Sequence, residues 1–275
     1  MLFQAYCFAM KNIRKKDLPQ SARIAFTHAM LAGAGLLVLA SPLCSPAAAQ
    51  ADFTTPVVIE MFTSQGCSSC PPADRLLDKL ARKPNVIALT LPVDYWDYIG
   101  WKDTLASPAF TARQKAYART RRDGHVYTPQ AIIDGLQHGV GSDFSAIKAL
   151  ARSMHGRSGA LQVTIQAKTT AGTVICALGA APAGGPDKAS LWLFRIVKSR
   201  DVKIGRGENS GRMVKYVNVV RSMQRIGEWS GAEKTFEIAP SILKQGDSEG
   251  WVLLLQSGSA KRPGAILAAA KADGF

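Results

Sequence analysis

The hydrophobic and polar positions divide the chain into two halves with different periods. Early on, short apolar runs alternate with amphipathic stretches. PVVIEMF, residues 56–62, is a β-branched apolar run and predicts a buried strand of the parallel type. ADRLLDKLARK follows after Pro72, with Leu76, Leu77, Leu80 and Ala81 on one helical face and Lys83-Pro84 ending it. NVIALTLPVD, residues 85–94, reads as a strand again, so a β-α-β unit is expected. A helix over Phe110 to Arg119 comes next, then an extended GHVYTPQAIIDG (124–135) ending in an Asp134-Gly135 turn. DFSAIKALARSMHG predicts a helix with Asp143 near its start and Gly156 past its end.

From Gly159 the period changes. LQVTIQAK, GTVICALG, SLWLFRIV, RMVKYVNVV, KTFEIA and GWVLLLQSG are strand-like runs separated by glycine, proline and polar turns. The expectation is an α/β domain over 51–157 followed by an all-β, sandwich-like domain over 158–275. APAGGPDK (181–188) reads as a loop, and RGENSGR (206–212) as a hairpin loop, an anion site being the alternative for its flanking arginines.

The first fifty residues follow another logic. Lys11, Arg14, Lys15, Lys16 and Arg23 precede an apolar run from Ile24 to Leu39, and small residues offer a cleavage site near Ala49 or Ala51. That order predicts a secretory signal peptide over 1–50, hence a secreted or periplasmic protein without stable membrane insertion after cleavage. An uncleaved anchor is the rival, weakened by Thr27, His28 and two glycines within the run.

The chain has 275 residues and a formal charge of +14. After position 50 it keeps 29 basic against 19 acidic residues, a net of +10. The charge is dispersed, and no nucleic-acid motif accompanies it, so no nucleic-acid partner is expected.

Chemistry concentrates in TSQGCSSCPPADRLL, residues 63–77. Cys67 and Cys70 lie on the turn between a strand and a helix, where the helix dipole and free amides favour a thiolate. In an exported protein such a pair cycles through or rests in the oxidised form. Cys176, on one face of TVICALG, reads as a small buried hydrophobe, with a resolving thiol as the alternative. VDYWDYIGWKD follows the second strand, on the rim where open α/β sheets place their sites. Tyr95 and Trp96 are candidates for gripping a substrate, against a purely structural role as loop anchors. Asp94 is a candidate proton acceptor for Cys70, against a helix cap. His125, His138 and His155 are the histidines after position 50. None pairs with the cysteines at metal-ligand spacing, so neither a metal nor another cofactor is expected.

As a set, FTSQGCSSCPPAD, VDYWDYIGWKD, SPAFTARQKAYA and VYTPQAIIDG resemble the signature segments of an exported thioredoxin-like family, domain of unknown function 1223. The resemblance is close over 56 to about 155 and looser beyond, through RGENSGR. It implies a thioredoxin-like α/β fold in which Pro129 is cis, packs beside Cys67 and Cys70, and with Thr128 presents backbone to the substrate. The function expected is exchange with protein or small-molecule thiols and disulfides, Cys67 attacking and Cys70 resolving. An envelope copper-binding or delivery protein, and a non-catalytic module with an inert Cys67–Cys70 bridge, remain open beside it.

Overall fold

The computed structural model describes residues 53–275; the expected signal segment lies outside the described residues. In chain order the elements are β1 (Val57–Thr63), α1 (Pro71–Ala81), β2 (Val86–Pro92), α2 (Pro108–Arg121), β3 (Gln130–Ile133), β4 (Gln137–Val140), α3 (Phe144–Met154), β5 (Ile165–Thr170), β6 (Thr173–Leu178), β7 (Ala189–Lys203), β8 (Met213–Trp229), β9 (Lys234–Ile238), α4 (Pro240–Leu243), β10 (Gly250–Ser259) and β11 (Arg262–Lys271).

β1 and β2 pair in parallel, from Val57 opposite Val86 to Thr63 opposite Pro92, with α1 as their crossover. Every residue of β1 is buried, and the strand is apolar except for Glu60 and Thr63, whose side chains find partners in the interior. Its alternate residues serve two cores. Val57, Ile59 and Met61 pack with Ala73, Leu77 and Leu80 of α1 and Ile147 and Ala151 of α3. Val58 and Phe62 point the other way, to Phe110 and Tyr117 of α2.

The expected separate domain after residue 158 does not form. The main sheet has eight strands in the order β11-β10-β7-β8-β2-β1-β3-β4, so four strands from the second half extend the first half's sheet. The physical reason lies at the edge of β2, whose backbone needs a partner. Thr90 pairs with Val219 of β8. The junction is reinforced by side chains: Thr90 Oγ1 donates to the Val217 carbonyl (2.5 Å), and Asn218 Nδ2 to that of Ala88 (2.9 Å). The far end of the sheet curls back, and the Ile266 amide of β11 donates to the Asp134 carbonyl beside β3 (2.9 Å). α2 therefore lies against both β2 and β11.

Only β5, β6 and β9 form a second sheet, in the order β5-β6-β9. Val174, Cys176 and Leu178 of β6 pack onto Leu191, Leu193, Leu253, Leu255 and Leu267 of the large sheet. Sandwich packing exists, but as a small sheet covering one end of the large one. The molecule is a mixed α/β fold dominated by a large sheet.

One buried polar network spans this architecture. Arg113 of α2 donates from Nε to Glu60 Oε1 (2.6 Å) and from Nη2 to Glu60 Oε2 (3.1 Å), Tyr117 Oη (2.8 Å) and Gln256 Oε1 (2.9 Å). Tyr117 donates to Glu60, and Gln256 Nε2 donates to Tyr117 Oη. The network ties β1, α2 and β10 together with nearly every donor and acceptor used.

Candidate active site around the Cys67–Cys70 disulfide

Cys67 and Cys70 form a disulfide with their Cα atoms 5.4 Å apart. Helix α1 begins at Pro71, because prolines at its first two positions have no amide hydrogens to lose and fit helical φ. Cys70 is its cap residue, and its carbonyl accepts from the Ala73 (2.8 Å) and Asp74 (3.1 Å) amides. The bridge is covered. Cys67 and Cys70 are 0% exposed while Ser68 and Ser69 face solvent, so the sulfur expected to attack is not at the surface.

Three loops make the cover. Gln65, fully buried, holds the first two together: its amide donates to Asp103 Oδ2 (2.8 Å), its Oε1 accepts from Trp101 Nε1 (2.8 Å), and its Nε2 donates to Thr104 Oγ1 (3.1 Å). Gly66 leaves the loop close against its neighbours, since a Cβ there would lie 3.0 Å from both Trp96 Cβ and Ile99 Cδ1. The third loop is 204–212, between β7 and β8. Its Gly205 lies under the Trp101 ring, where a Cβ would come within 2.9 Å. Asn209, 1% exposed, donates from Nδ2 to the carbonyls of Gln65 and Cys67, both at 2.9 Å. The hairpin-loop reading of RGENSGR holds for its backbone, but its asparagine clasps the cysteine loop from across the sheet. Its glycines signalled a turn and nothing in the sequence signalled that contact.

Replacing Asn209 by alanine leaves two buried carbonyls without that donor. A loss of about 2 to 3 kcal/mol is expected, together with faster reduction of the disulfide by a small thiol such as dithiothreitol. Unchanged reduction kinetics would mean that Asn209 does not keep the cover in place.

The aromatic segment divides. Trp96 Nε1 donates to Thr128 Oγ1 (2.8 Å), so Trp96 spans from Gly66 to the Thr128-Pro129 segment. That fits the anchoring role, as does the Trp101 bond to Gln65. Tyr95 is partly buried against the α2 core. Tyr98, by contrast, is 82% exposed, the aromatic of this loop that is free to meet another molecule. The Thr128–Pro129 peptide is cis, as expected. The Gly141 amide donates to the Pro129 carbonyl (2.9 Å), and the link from this segment to the cysteine loop runs through Trp96.

Asp94, the candidate proton acceptor, is bonded to α2. Its Oδ1 accepts from Thr111 Oγ1 (2.5 Å) and its amide donates to that hydroxyl (3.3 Å), which pins the loop to α2. Asp74 lies one helical turn beyond Cys70, and its backbone amide donates to the Cys70 carbonyl (3.1 Å). Asp74 is 3% exposed, Oδ1 accepts from Thr63 Oγ1 (2.8 Å), and the buried Oδ2 has no partner. Burial, with a smaller contribution from the Asp103 charge, pushes its pKa up to about 8, against the opposing Thr63 bond. Asp74 was present in the sequence as a residue of the CPPAD segment; its burial comes from tertiary packing, with Thr63 of β1 bonded to it and β8 packed against α1.

Cys176 is a free, buried thiol whose pKa burial pushes to about 11. It sits in the core between the two sheets, as a small hydrophobe. His138 lies on β4.

The family model described as protein of unknown function (DUF1223) matches residues 58–256, and the chain belongs to this family. The crystal structure of protein AGR_C_4864 from Agrobacterium tumefaciens is similar at 33% identity, with a TM-score of 0.71, covering 82% of this chain and 96% of that one. HBP35 of Porphyromonas gingivalis is similar at 13% identity and a TM-score of 0.49, over 80% of this chain and 76% of that one. No curated protein matches the chain. No helix among the described residues is long and apolar enough to cross a membrane.

Proposed function

We propose that the protein is an exported, thioredoxin-like thiol–disulfide oxidoreductase working through Cys67 and Cys70. The observation that carries this reading is the pairing of a disulfide at a helix start with Asp74, a buried carboxyl holding a proton near neutral pH one turn away. A structural bridge has no need of a titratable acid buried at that depth, where burial of the charged form is costly.

The chemistry balances without a cofactor. A thiolate from a substrate attacks Cys67 Sγ, the bond to Cys70 breaks, and the electron pair leaves on Cys70 Sγ. Protonated Asp74 supplies a proton to that thiolate. A second substrate thiol then attacks the mixed disulfide, releasing Cys67 as thiolate and the substrate as a disulfide. In reverse, ionised Asp74 accepts the Cys70 proton so that Cys70 can attack and resolve the mixed disulfide. Because the bridge is covered, exchange requires the 94–107 or 204–212 loop to move aside. Tyr98, exposed at the rim, is the first contact offered to an incoming protein. Export, expected from residues 1–50, suits a pair that rests oxidised.

The test is a pair of variants. Cys70→Ser should accumulate mixed disulfides, its Cys67 thiolate attacking an added disulfide substrate and expelling that substrate's other sulfur as a thiolate, read by mass spectrometry of the intact protein. Cys67→Ser should form none and lose all disulfide-reductase activity. Mixed disulfides carried on Cys70 instead would reverse the roles. No turnover by the wild type with any dithiol or disulfide substrate would leave an inert bridge.

A further inference from the structure

The fold brings together three side chains that the cysteine chemistry does not use. Asp123 and His125 lie in the segment after α2, and His138 lies on β4, which pairs with β3. His138 Nε2 is 3.3 Å from Asp123 Oδ2 and 3.4 Å from His125 Nδ1, and the three ligand atoms all lie within 4.8 Å of one another. We propose that Asp123, His125 and His138 form a binding site for a divalent cation of the zinc class, which no role in the cysteine chemistry accounts for.

The donor set is two imidazoles and one carboxylate, the mixture that borderline first-row cations prefer. The distances fit as well as the types. Bonds of about 2.0 to 2.1 Å directed to the corners of a tetrahedron place neighbouring ligand atoms about 3.3 to 3.4 Å apart. Two of the three separations already have that value. The third closes by a turn of the His125 side chain, which is exposed.

The surroundings orient the ligands. Tyr127 Oη lies 2.8 Å from His138 Nδ1, which leaves Nε2 to face the cluster, the outer hydrogen bond that metal-bound imidazoles usually make. The His125 amide donates to Asp123 Oδ1 (3.0 Å), leaving Oδ2 toward the histidines. One group competes. Arg121 Nε donates to Asp123 Oδ2 at 2.7 Å. Its Nη2 already reaches Asp123 Oδ1 (3.4 Å) and the His125 carbonyl (3.3 Å), so the guanidinium has partners to keep when the ion takes Oδ2. Three protein ligands leave a fourth position for water, the pattern of an open site. Bound there, an ion would tie the segment leading into Thr128-Pro129 to β4.

The experiment is calorimetric titration of Zn2+ into the chelator-treated, disulfide-intact protein. One ion per chain is expected, with a dissociation constant in the micromolar range. His138→Ala and His125→Ala should each weaken binding by at least about tenfold, and Tyr127→Phe by a smaller factor that a ligand-only site would not show. All three are at or near the surface, and unchanged melting temperatures without metal confirm that the variants fold. Co2+ should give the intense visible absorption of a four-coordinate ion, displaced by Zn2+. Absence of binding, or binding that persists in His125→Ala and His138→Ala, overturns the site. Neither result bears on the cysteine chemistry, since Cys67 and Cys70 stay bonded throughout.

Discussion

Replacing Arg113 by methionine should destabilise the protein by about 3 to 5 kcal/mol, the largest effect expected of any single substitution here. Glu60 is 0% exposed and its two oxygens accept from Arg113 Nε and Nη2. Without the guanidinium, an ionised carboxylate stays buried with only Tyr117 as donor, or it must take up a proton. The same change removes the Nη2 bonds to Tyr117 and Gln256 and the stacking of the guanidinium on the Tyr117 and Phe194 rings, about 5 Å from each. Urea unfolding monitored by circular dichroism reads the loss. The companion double variant, Glu60→Leu with Arg113→Met, should recover most of it, because a buried pair replaced by apolar groups is often neutral. If the single variant costs less than about 1 kcal/mol, the network does not hold β1, α2 and β10 together as described.

Asp74→Asn should change how stability depends on pH. In the unfolded chain Asp74 titrates near 3.8, while in the folded protein burial holds its proton up to about 8. The native state therefore binds more protons than the unfolded state between those values, and stability falls as pH rises through that window. The contribution is fully present below about pH 4 and lost above about pH 8. At about 1.4 kcal/mol per pKa unit, the effect is on the order of several kcal/mol. Asparagine cannot ionise, so the variant should unfold at higher urea than the wild type at pH 9, and the advantage should shrink toward pH 5. Asp134, raised to about 7 chiefly by burial, imposes a slope of the same sign on both proteins and cancels in the difference. The variant should also reduce more slowly than the wild type at pH 6 to 7, since Cys70 would leave without a proton donor. Identical pH profiles for the two proteins would remove Asp74 from both the stability and the mechanism.

Both substitutions concern residues whose part in the protein was unequally visible beforehand. The cysteine pair, the β-α-β unit around it, a helix after the two prolines and a helix start near Asp143 follow from local rules of period, proline geometry and capping. Such signals need no knowledge of the rest of the chain. The cis Thr128–Pro129 bond was implied by family resemblance alone. Asp94 illustrates the limit: its sequence neighbours place it by the cysteines, yet the Thr111 hydroxyl claims it. Asp74 shows the converse, since nothing local says that a carboxyl in the first turn of a helix will be 3% exposed. β11 shows it for an element: RPGAILAAAK is too alanine-rich to predict a strand, and is one because β10 offers its free edge.

The local chemistry was legible along the chain, namely where helices begin, which runs are strands buried on both faces, and where two cysteines share a turn, because each depends on neighbours within a few positions. The assembled fold alone makes β8 seal the edge of β2 and so merge two expected domains into one sheet. It also set Asn209 and Gln65 as the clasps over the disulfide and brought Asp123, His125 and His138 within reach of one ion. These outcomes depend on edges, cavities and hydrogen-bond partners supplied by segments up to 144 residues apart, which no local period encodes.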